Sequence, residues 1–299
     1  MANPVAVITG GASGIGLEVA RRLANSHRVA ILDIDGDAAG RAAELIGDAA
    51  IAVECDIVKP KSVSAAIETV LEKFGRIDVA ISNAGIGTVG VARHLDPEVL
   101  AVQLDVNLTG NWRFIHTCLP HLISSRGYIL GVASAAAIMS PPGESFYGAS
   151  KAGLEALLNT LRTEVAHLGV GVGIAYLMFI DTPMVRDGDR EHADLARMRS
   201  KLPGAAHKTF RVEVAADLLV RGIRRRARRI FVPRSLRIQH IIRGLLWSVI
   251  DRQFGRIAPE VDGLTEAKVL EKGSFAAAFS RGPLAAHQQR SQDSGGSSS

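Results

Sequence analysis

Thr9-Gly10-Gly11-Ala12-Ser13-Gly14-Ile15-Gly16 is the segment on which the fold turns. It follows the apolar run Val5–Thr9, which reads as a strand, and it opens a helix expected over Ile15–Ala24. A glycine turn between a strand and a helix is the context that a dinucleotide-binding fingerprint requires. Glycine lets the backbone approach a pyrophosphate, and the unpaired amides at the helix N-terminus take up its charge. An ordinary glycine-rich turn has the same local pattern, so the decision rests on the sequence around it.

Moving outward, Val29–Asp33, Ala50–Glu54, Val79–Ser82, Gly127–Val132 and Val170–Leu177 are short runs, nearly all apolar and bounded by Gly, Asp or Asn. Strands buried on both faces have this character. Helices are expected between them at Ala38–Ile46, Lys61–Phe74, Pro97–Leu122 and Gly148–His167. Such alternation predicts parallel strands joined by right-handed crossovers, hence an α/β fold with a single doubly wound sheet and helices on both faces. The polar connection Pro183–Thr209, interrupted by Gly188, Pro203 and Gly204, is long enough to predict a substrate lid over 183–210. A helix at Val212–Arg228 and a strand at Arg229–Pro233 are expected to close the sheet, making 1–233 one unit. Residues 234–280 read as a basic, apolar helical C-terminal extension. Residues 281–299, rich in Gln, Ser and Gly, are expected to be disordered.

Composition narrows the function classes. Hydrophobic residues are 47 % and charged residues 22 % of 299, the balance of a globular chain with a sizeable core. No apolar run reaches the roughly 18 residues of a membrane span. Two cysteines, Cys55 and Cys118, make no disulfide framework and point to a reducing compartment. The N-terminus lacks the pattern of a signal peptide, so a cytoplasmic location is expected. Collagen, coiled coil, secreted mini-protein and integral membrane protein are excluded. The net charge of +5 gathers in arginines between Arg221 and Arg256, a local patch and not the signature of a nucleic-acid binder.

Four residues carry candidate chemistry. Asp33 ends the second strand, where a carboxylate accepts bonds from both adenosine ribose hydroxyls and repels a 2′-phosphate; a turn or cap role is the plain alternative. With the glycine loop it favours NAD over NADP. Tyr147 and Lys151, in Tyr147-Gly148-Ala149-Ser150-Lys151, fall one turn apart on one helix face. A tyrosine with an ordinary pKa near 10 is a poor base at neutral pH unless a nearby cation stabilises the phenolate. Ser134, just past the fifth strand, places a hydroxyl where it can bond a substrate oxygen beside Tyr147.

In order and spacing from about Val5 to Pro233, these residues resemble the classical short-chain dehydrogenase/reductase family, which implies a Rossmann-type sheet. Thr9–Gly16 looks like its TGxxxGxG loop, Ser82-Asn83-Ala84-Gly85 like its NNAG motif and Tyr147–Lys151 like its YxxxK. Ser134 precedes the tyrosine by 13 positions, the usual interval. The resemblance implies a catalytic set of Asn107, Ser134, Tyr147 and Lys151. Tyr147 is then the general acid/base, Lys151 lowers its pKa and holds the nicotinamide ribose, Ser134 orients the carbonyl, and Asn107 anchors a water that relays protons. The implied cofactor contacts are Gly10, Ser13, Gly14, Ile15, Gly16, Asp33, Asp56, Ile57, Asn83, Ala84, Gly85, Tyr147, Lys151, Ile180 and Thr182. The family has Pro-Gly after the sixth strand where this chain has Leu177 and Met178, a change beside the nicotinamide that bears on the role carried over to Thr182.

The pocket wall is expected from Val89, Val91, Ala135, Ala136, Ala137, Ile138, Met139, Leu177 and Met178, with ordinary packing as the other reading of the same residues. It predicts a hydrophobic secondary alcohol or ketone, steroid- or lipid-like. No metal site is expected, because His94, His116, His121 and His167 lack ligand spacing. A non-catalytic NAD(H) sensor, or a lyase or epimerase on the same fold, are the alternative functions. A homo-oligomer, dimer or tetramer, is implied through Pro97–Leu122 and Gly148–His167. Ile238, Ile241, Ile242, Leu245, Leu246 and Val249 form a helical stripe over 235–255, expected to pack on the domain or a partner subunit, with peripheral membrane contact as the alternative.

Overall fold

Strand β1 (Val5–Thr9) is buried at every position, which is possible only with a strand on each side and helices on both faces. Its neighbours are β2 (Arg28–Asp33) and β4 (Val79–Ser82), and the seven parallel strands run in the order β3-β2-β1-β4-β5-β6-β7. The others are β3 (Ala50–Glu54), β5 (Tyr128–Val132), β6 (Gly171–Leu177) and β7 (Arg229–Val232). The computed structural model describes residues 3–200 and 207–279. The expected disorder of 281–299 and part of the expected lid lie outside them. Strand β3 is only half-buried, as an edge strand should be.

Two cores sandwich the sheet. On one face α1 (Gly14–Leu23), α2 (Gly36–Ile46) and α9 (Val212–Arg224) bury Val19, Leu23, Ala39, Ala216 and Leu219 against Ile8, Ile31 and Leu130. On the other, α3 (Pro60–Phe74), α5 (Asn111–Ser125) and α6 (Ser145–Glu164) bury Ile67, Phe114, Leu122, Leu154 and Leu158 against Val7, Ala30 and Ile129. The single doubly wound sheet is therefore as expected.

Several boundaries differ, each for a local reason. The helix expected over Pro97–Leu122 is α4 (Pro97–Leu104), a π turn at Asp105–Gly110, and α5. Apolar spacing continues across the π turn and conceals it. Helix α6 starts at Ser145, so Tyr147 sits in its first turn. Helix α9 ends at Arg224, before Arg226 turns left-handed at φ 49°. The expected lid contains two helices, α7 (Pro183–Glu191) and α8 (Ala193–Ser200).

The helical extension expected over 234–280 is one long helix, α10 (Leu236–Lys272), with the stripe segment 235–255 in its first half. Its first half is anchored on α6: the buried Glu155 carboxylate accepts from Arg243 Nη1 at 2.9 Å, from the Tyr176 hydroxyl at 2.9 Å and pairs with His240 at 3.3 Å. Leu236 and Ile250 face inward with Arg243, whereas Ile238, Ile241, Leu245 and Val249 are exposed. The stripe expected to pack is thus split, and these four residues do not touch the domain core.

Candidate active site

The chain leaves β1 and β4 toward opposite ends of the sheet, and the crevice this opens at the strands' C-terminal ends is where ligands of such sheets bind. Here it is a cleft of about 480 Å³. Gly10, Ser13, Gly14 and Ile15 line it from the turn into α1, Asp33 from the end of β2, Ile57 from the end of β3, and Asn83, Ala84 and Gly85 from the end of β4. Ser134, Tyr147, Lys151, Ile180 and Thr182 complete the opposite wall.

The glycine turn is a steric necessity. Gly14 adopts φ +52°, and a Cβ on Gly16 would stand 2.1 Å from the Gly10 carbonyl oxygen. Gly16 therefore shapes the turn from behind and does not line the cleft. Asn83 holds the turn to β4, its side-chain amide donating to the carbonyls of Thr9 (3.0 Å) and Gly10 (2.9 Å). Thr9 Oγ1 in return accepts from the Asn83 and Ala84 amides. Asp33 Oδ2 accepts from the Ala12 amide at 3.0 Å. Burial raises the Asp33 carboxyl above its ordinary value, opposed by that amide bond.

Tyr147 and Lys151 project from adjacent turns of α6, with Lys151 Nζ 5.8 Å from the Tyr147 ring centre. Nζ donates to the Val132 carbonyl at 3.1 Å. Burial pushes Lys151 down to about 8 and Tyr147 up to about 12. A Ser134 hydrogen bond lowers Tyr147 and the Glu144 charge raises it further. In the ligand-free chain burial therefore outweighs whatever Lys151 contributes to easing the phenol. Ser134 Oγ also accepts from the Ala136 amide and donates to Leu177 O at 3.4 Å.

Two of the expected residues sit behind the wall. Asn107, fully buried in the π turn, accepts from the Ile86 amide at 2.8 Å and donates to Ile86 O and Ser150 Oγ. It approaches the site through Gly85, where a Cβ would stand 3.0 Å from Asn107 Oδ1 and 3.3 Å from Lys151 Nζ. Asp56 turns inward and accepts from the Val58 amide, leaving Ile57 and Cys55 on the cleft. Burial pushes the Cys55 thiol up to about 12, which keeps it from acting as a nucleophile at neutral pH.

Leu177 and Met178, in the Pro-Gly positions, continue the sheet. Leu177 is in register with Val232, and the Met178 amide donates to Val232 O at 2.9 Å. Both line the cleft. Thr182 caps α7, its Oγ1 accepting from the Val185 amide, and its methyl lies 3.1 Å from a Cβ built on Gly14. The segment expected as a lid thus begins directly over the glycine turn.

The apolar wall differs from expectation. Leu177 and Met178 are joined by Ile86, Val102, Val106 and Met184, while Ala136, Ala137 and Ile138 are buried in packing. The sequence reading also missed Glu144, three residues before Tyr147, whose carboxyl burial pushes up to about 7 against the pull of Arg199. Its only local signal was proximity to the tyrosine.

The second half of α10 is tied to the segment after β4 and to the end of α7. Thr265 Oγ1 accepts from the Val91 amide, Asp262 pairs with Arg93 and His94, and Lys272 pairs with Glu191 at 2.6 Å. Beyond it, Val89 donates its amide to Ala278 O at 3.0 Å.

Residues 4–193 match the family model for short chain dehydrogenases. An uncharacterized NAD-dependent oxidoreductase of Mycobacterium tuberculosis is 32 % identical over 222 residues, covering 68 % of this chain and 79 % of the relative. The 2-(R)-hydroxypropyl-CoM dehydrogenase of Xanthobacter autotrophicus is 33 % identical over 191 residues, 61 % of this chain and 76 % of that one. Among solved structures, the 3-ketoacyl-(acyl-carrier-protein) reductase of Brucella melitensis complexed with NADH superimposes with a TM-score of 0.70 at 30 % identity, covering 77 % of this chain and 97 % of that one. With the glycine turn, the parallel sheet and the tyrosine–lysine helix in the same order, the chain belongs to the short-chain dehydrogenase/reductase family.

Proposed function

We propose that this protein is an NAD-dependent oxidoreductase interconverting a hydrophobic secondary alcohol, steroid- or lipid-like, and its ketone, with Tyr147 as general acid/base. One observation carries the reading: a single cleft is lined by the glycine turn, Asp33, Ser134, Tyr147 and Lys151 together. The cleft fits a dinucleotide, because Gly16 tolerates no Cβ against Gly10 O and the turn's left-handed glycines open the α1 N-terminus to a pyrophosphate. Gly10, Ser13, Gly14 and Ile15 would hold that group, Asp33 the adenosine ribose, Ile57 and Ala84 the adenine side, and Lys151, Ile180 and Thr182 the nicotinamide end. NAD supplies the hydride chemistry when bound.

The protein moves the proton. The Tyr147 phenolate takes it from the alcohol in oxidation, and the hydroxyl so formed returns it to the ketone oxygen in reduction, while Ser134 holds the same oxygen by its hydroxyl. Lys151, its ammonium 5.8 Å from the Tyr147 ring centre, would favour the phenolate by its charge, and Asn107 holds the Ile86 backbone behind it. Apolar Ile86, Val102, Leu177, Met178 and Met184 exclude water from the reacting carbon and select an apolar substrate. In this reading 1–233 is the catalytic unit, 183–210 its lid and 234–280 an extension. The chain works as a cytoplasmic homo-oligomer, with 235–255 its point of peripheral membrane contact.

The test follows nicotinamide absorbance for the wild type and Tyr147→Phe, with NAD⁺ or NADP⁺ and secondary alcohols from short chains to steroids. Turnover of the apolar members with NAD⁺, lost in Tyr147→Phe, is the expected result. Preference for NADP⁺ overturns the Asp33 argument, and equal turnover of small polyols overturns the substrate class. NADH binding with no turnover of any alcohol moves the chain to a sensor; conversion without net absorbance change moves it to a lyase or epimerase.

A further inference from the structure

A second cleft lies away from the active site, between the end of α9, β7 and the start of α10, with a volume of about 850 Å³. Six arginines line it: Arg221 and Arg225 from α9 and its cap, Arg228 and Arg229 at β7, and Arg234 and Arg237 at α10. Among the described residues no carboxylate lines it, and Arg221, Arg225, Arg228, Arg234 and Arg237 have no ion pair. All six are exposed, and gathering so much like charge around one concavity without a counter-charge favours an anionic ligand.

Ile241 lines this cleft and also belongs to the outward face of α10. There Leu245 is 84 % exposed, Ile241 69 % and Ile238 63 %, with Val249 beside them. At 100° per residue Arg252 and Arg256 fall on the same face and Arg237 at its edge, and all three are exposed. The opposite face is committed inward through Leu236, Ile250 and the Arg243–Glu155 pair. The first half of α10 therefore presents a row of aliphatic side chains flanked by guanidiniums, and the arginine cleft opens at its end.

Charge decides among occupants. A symmetric contact with a second copy sets the same patch against itself, arginines facing arginines, which is repulsive. A nucleic acid satisfies the arginines and leaves the aliphatic row in water. An anionic bilayer satisfies both, phosphates meeting guanidiniums while apolar side chains enter the acyl boundary. We infer that this face, the arginine cleft with the outward row Ile238, Ile241, Leu245 and Val249, docks the protein on an anionic phospholipid surface. The inference deepens the membrane contact of the proposed function and stands independently of the redox chemistry.

The test is flotation of the full-length protein with phosphatidylcholine vesicles, with and without phosphatidylglycerol. Binding is expected only with phosphatidylglycerol and is released by high salt. Arg225→Glu/Arg228→Glu/Arg237→Glu is expected to weaken it at least about a hundredfold, at roughly fivefold for each of the three positive charges removed. Ile241→Asp/Leu245→Asp is expected to weaken it at least about tenfold. Both variants change exposed residues, and unaltered NADH binding verifies their fold. Tyr147→Phe is expected to float like the wild type, so failure of the catalytic reading and failure of this one are separate results. Equal binding to neutral vesicles, or indifference to charge reversal, overturns the inference. So does a fall in sedimentation coefficient of Ile241→Asp/Leu245→Asp without vesicle binding by the wild type, which assigns the face to a second copy.

Discussion

The cleft at the strand ends and the helix that runs past it are built from different materials. The cleft is backbone: a glycine turn with no space for a Cβ, an asparagine clamped on two carbonyls, and strands buried on both faces. Helix α10 is attached by side chains: Glu155 with Arg243, Arg93 with Asp262, and Lys272 with Glu191. Backbone geometry is insensitive to salt and to moderate pH, whereas ion pairs answer to both. Changes in the cleft should therefore alter chemistry and leave stability nearly untouched, and changes at α10 should do the reverse.

The sharpest test of that contrast is Tyr147→Phe. Removing the hydroxyl is expected to lower kcat/KM about 10³-fold, within the range of general acid–base effects. NADH affinity and thermal unfolding should stay near wild type. A loss of several degrees in Tm would mean that Tyr147 also carries structure, blurring the distinction. Next in size is Glu155→Ala, which leaves Arg243, His240 and the Tyr176 hydroxyl without their shared acceptor. It is expected to destabilise the chain by about 3 kcal/mol in denaturant unfolding, because a buried pair broken on one side strands the other. The partial exposure of Arg243 keeps the figure at the low end of that range. Activity of the folded fraction should fall by less than about threefold, provided that Glu155 holds α10 and does not align Tyr147 on the same helix.

Gly16→Ala acts on the cleft by another route. Its Cβ would stand 2.1 Å from Gly10 O, so the turn must move and the α1 amides with it. Strain of about 2 kcal/mol predicts NADH binding weakened roughly thirtyfold in a fluorescence titration. Unchanged affinity would show that the turn has slack that its geometry does not display.

The same contrast explains what was legible in the sequence. Buried parallel strands need apolar runs with polar ends, and a phosphate turn needs glycines at set positions, so β1 to β7 and the Gly10–Gly16 turn announce themselves locally. The tyrosine and lysine are legible for the same reason, being one turn apart. The attachment of α10 is not. Six apolar residues at helical spacing show that a stripe exists but not which part faces water, and the answer lies with Glu155 on a helix 85 residues earlier than His240. The arginine cleft is likewise assembled from α9, β7 and α10, whose charges look in sequence like ordinary solvated faces. Asp56 and Asn107 sit in the expected segments but turn inward, because backbone amides of Val58 and Ile86 claim them.

The smallest expected effect lies where the two regions meet, at the end of α7 in the proposed lid. His192 caps α7, and its Nδ1 stands 3.1 Å from the Lys268 ammonium of α10, with Glu191 pairing to Lys272 beside it. Burial, with the Lys268 and Lys272 charges, pushes His192 down to about 4, and Glu191 opposes them only in part. A neutral imidazole accepts from Lys268; a protonated one is repelled. With the lid detached His192 titrates near its ordinary value of about 6.5, so between about 6.5 and about 4 the open form binds more protons than the closed one. The sign follows: closure is at full strength above about pH 6.5 and weakens as pH falls through that window. By pH 5.5 the loss amounts to roughly tenfold faster hydrogen exchange in α7 and α8 after correction for the intrinsic rate. His192→Gln keeps an acceptor for Lys268 and cannot titrate, so its protection should no longer depend on pH. If the pH dependence survives in His192→Gln, the lid answers to another group, and α10 is attached there by packing and not by charge.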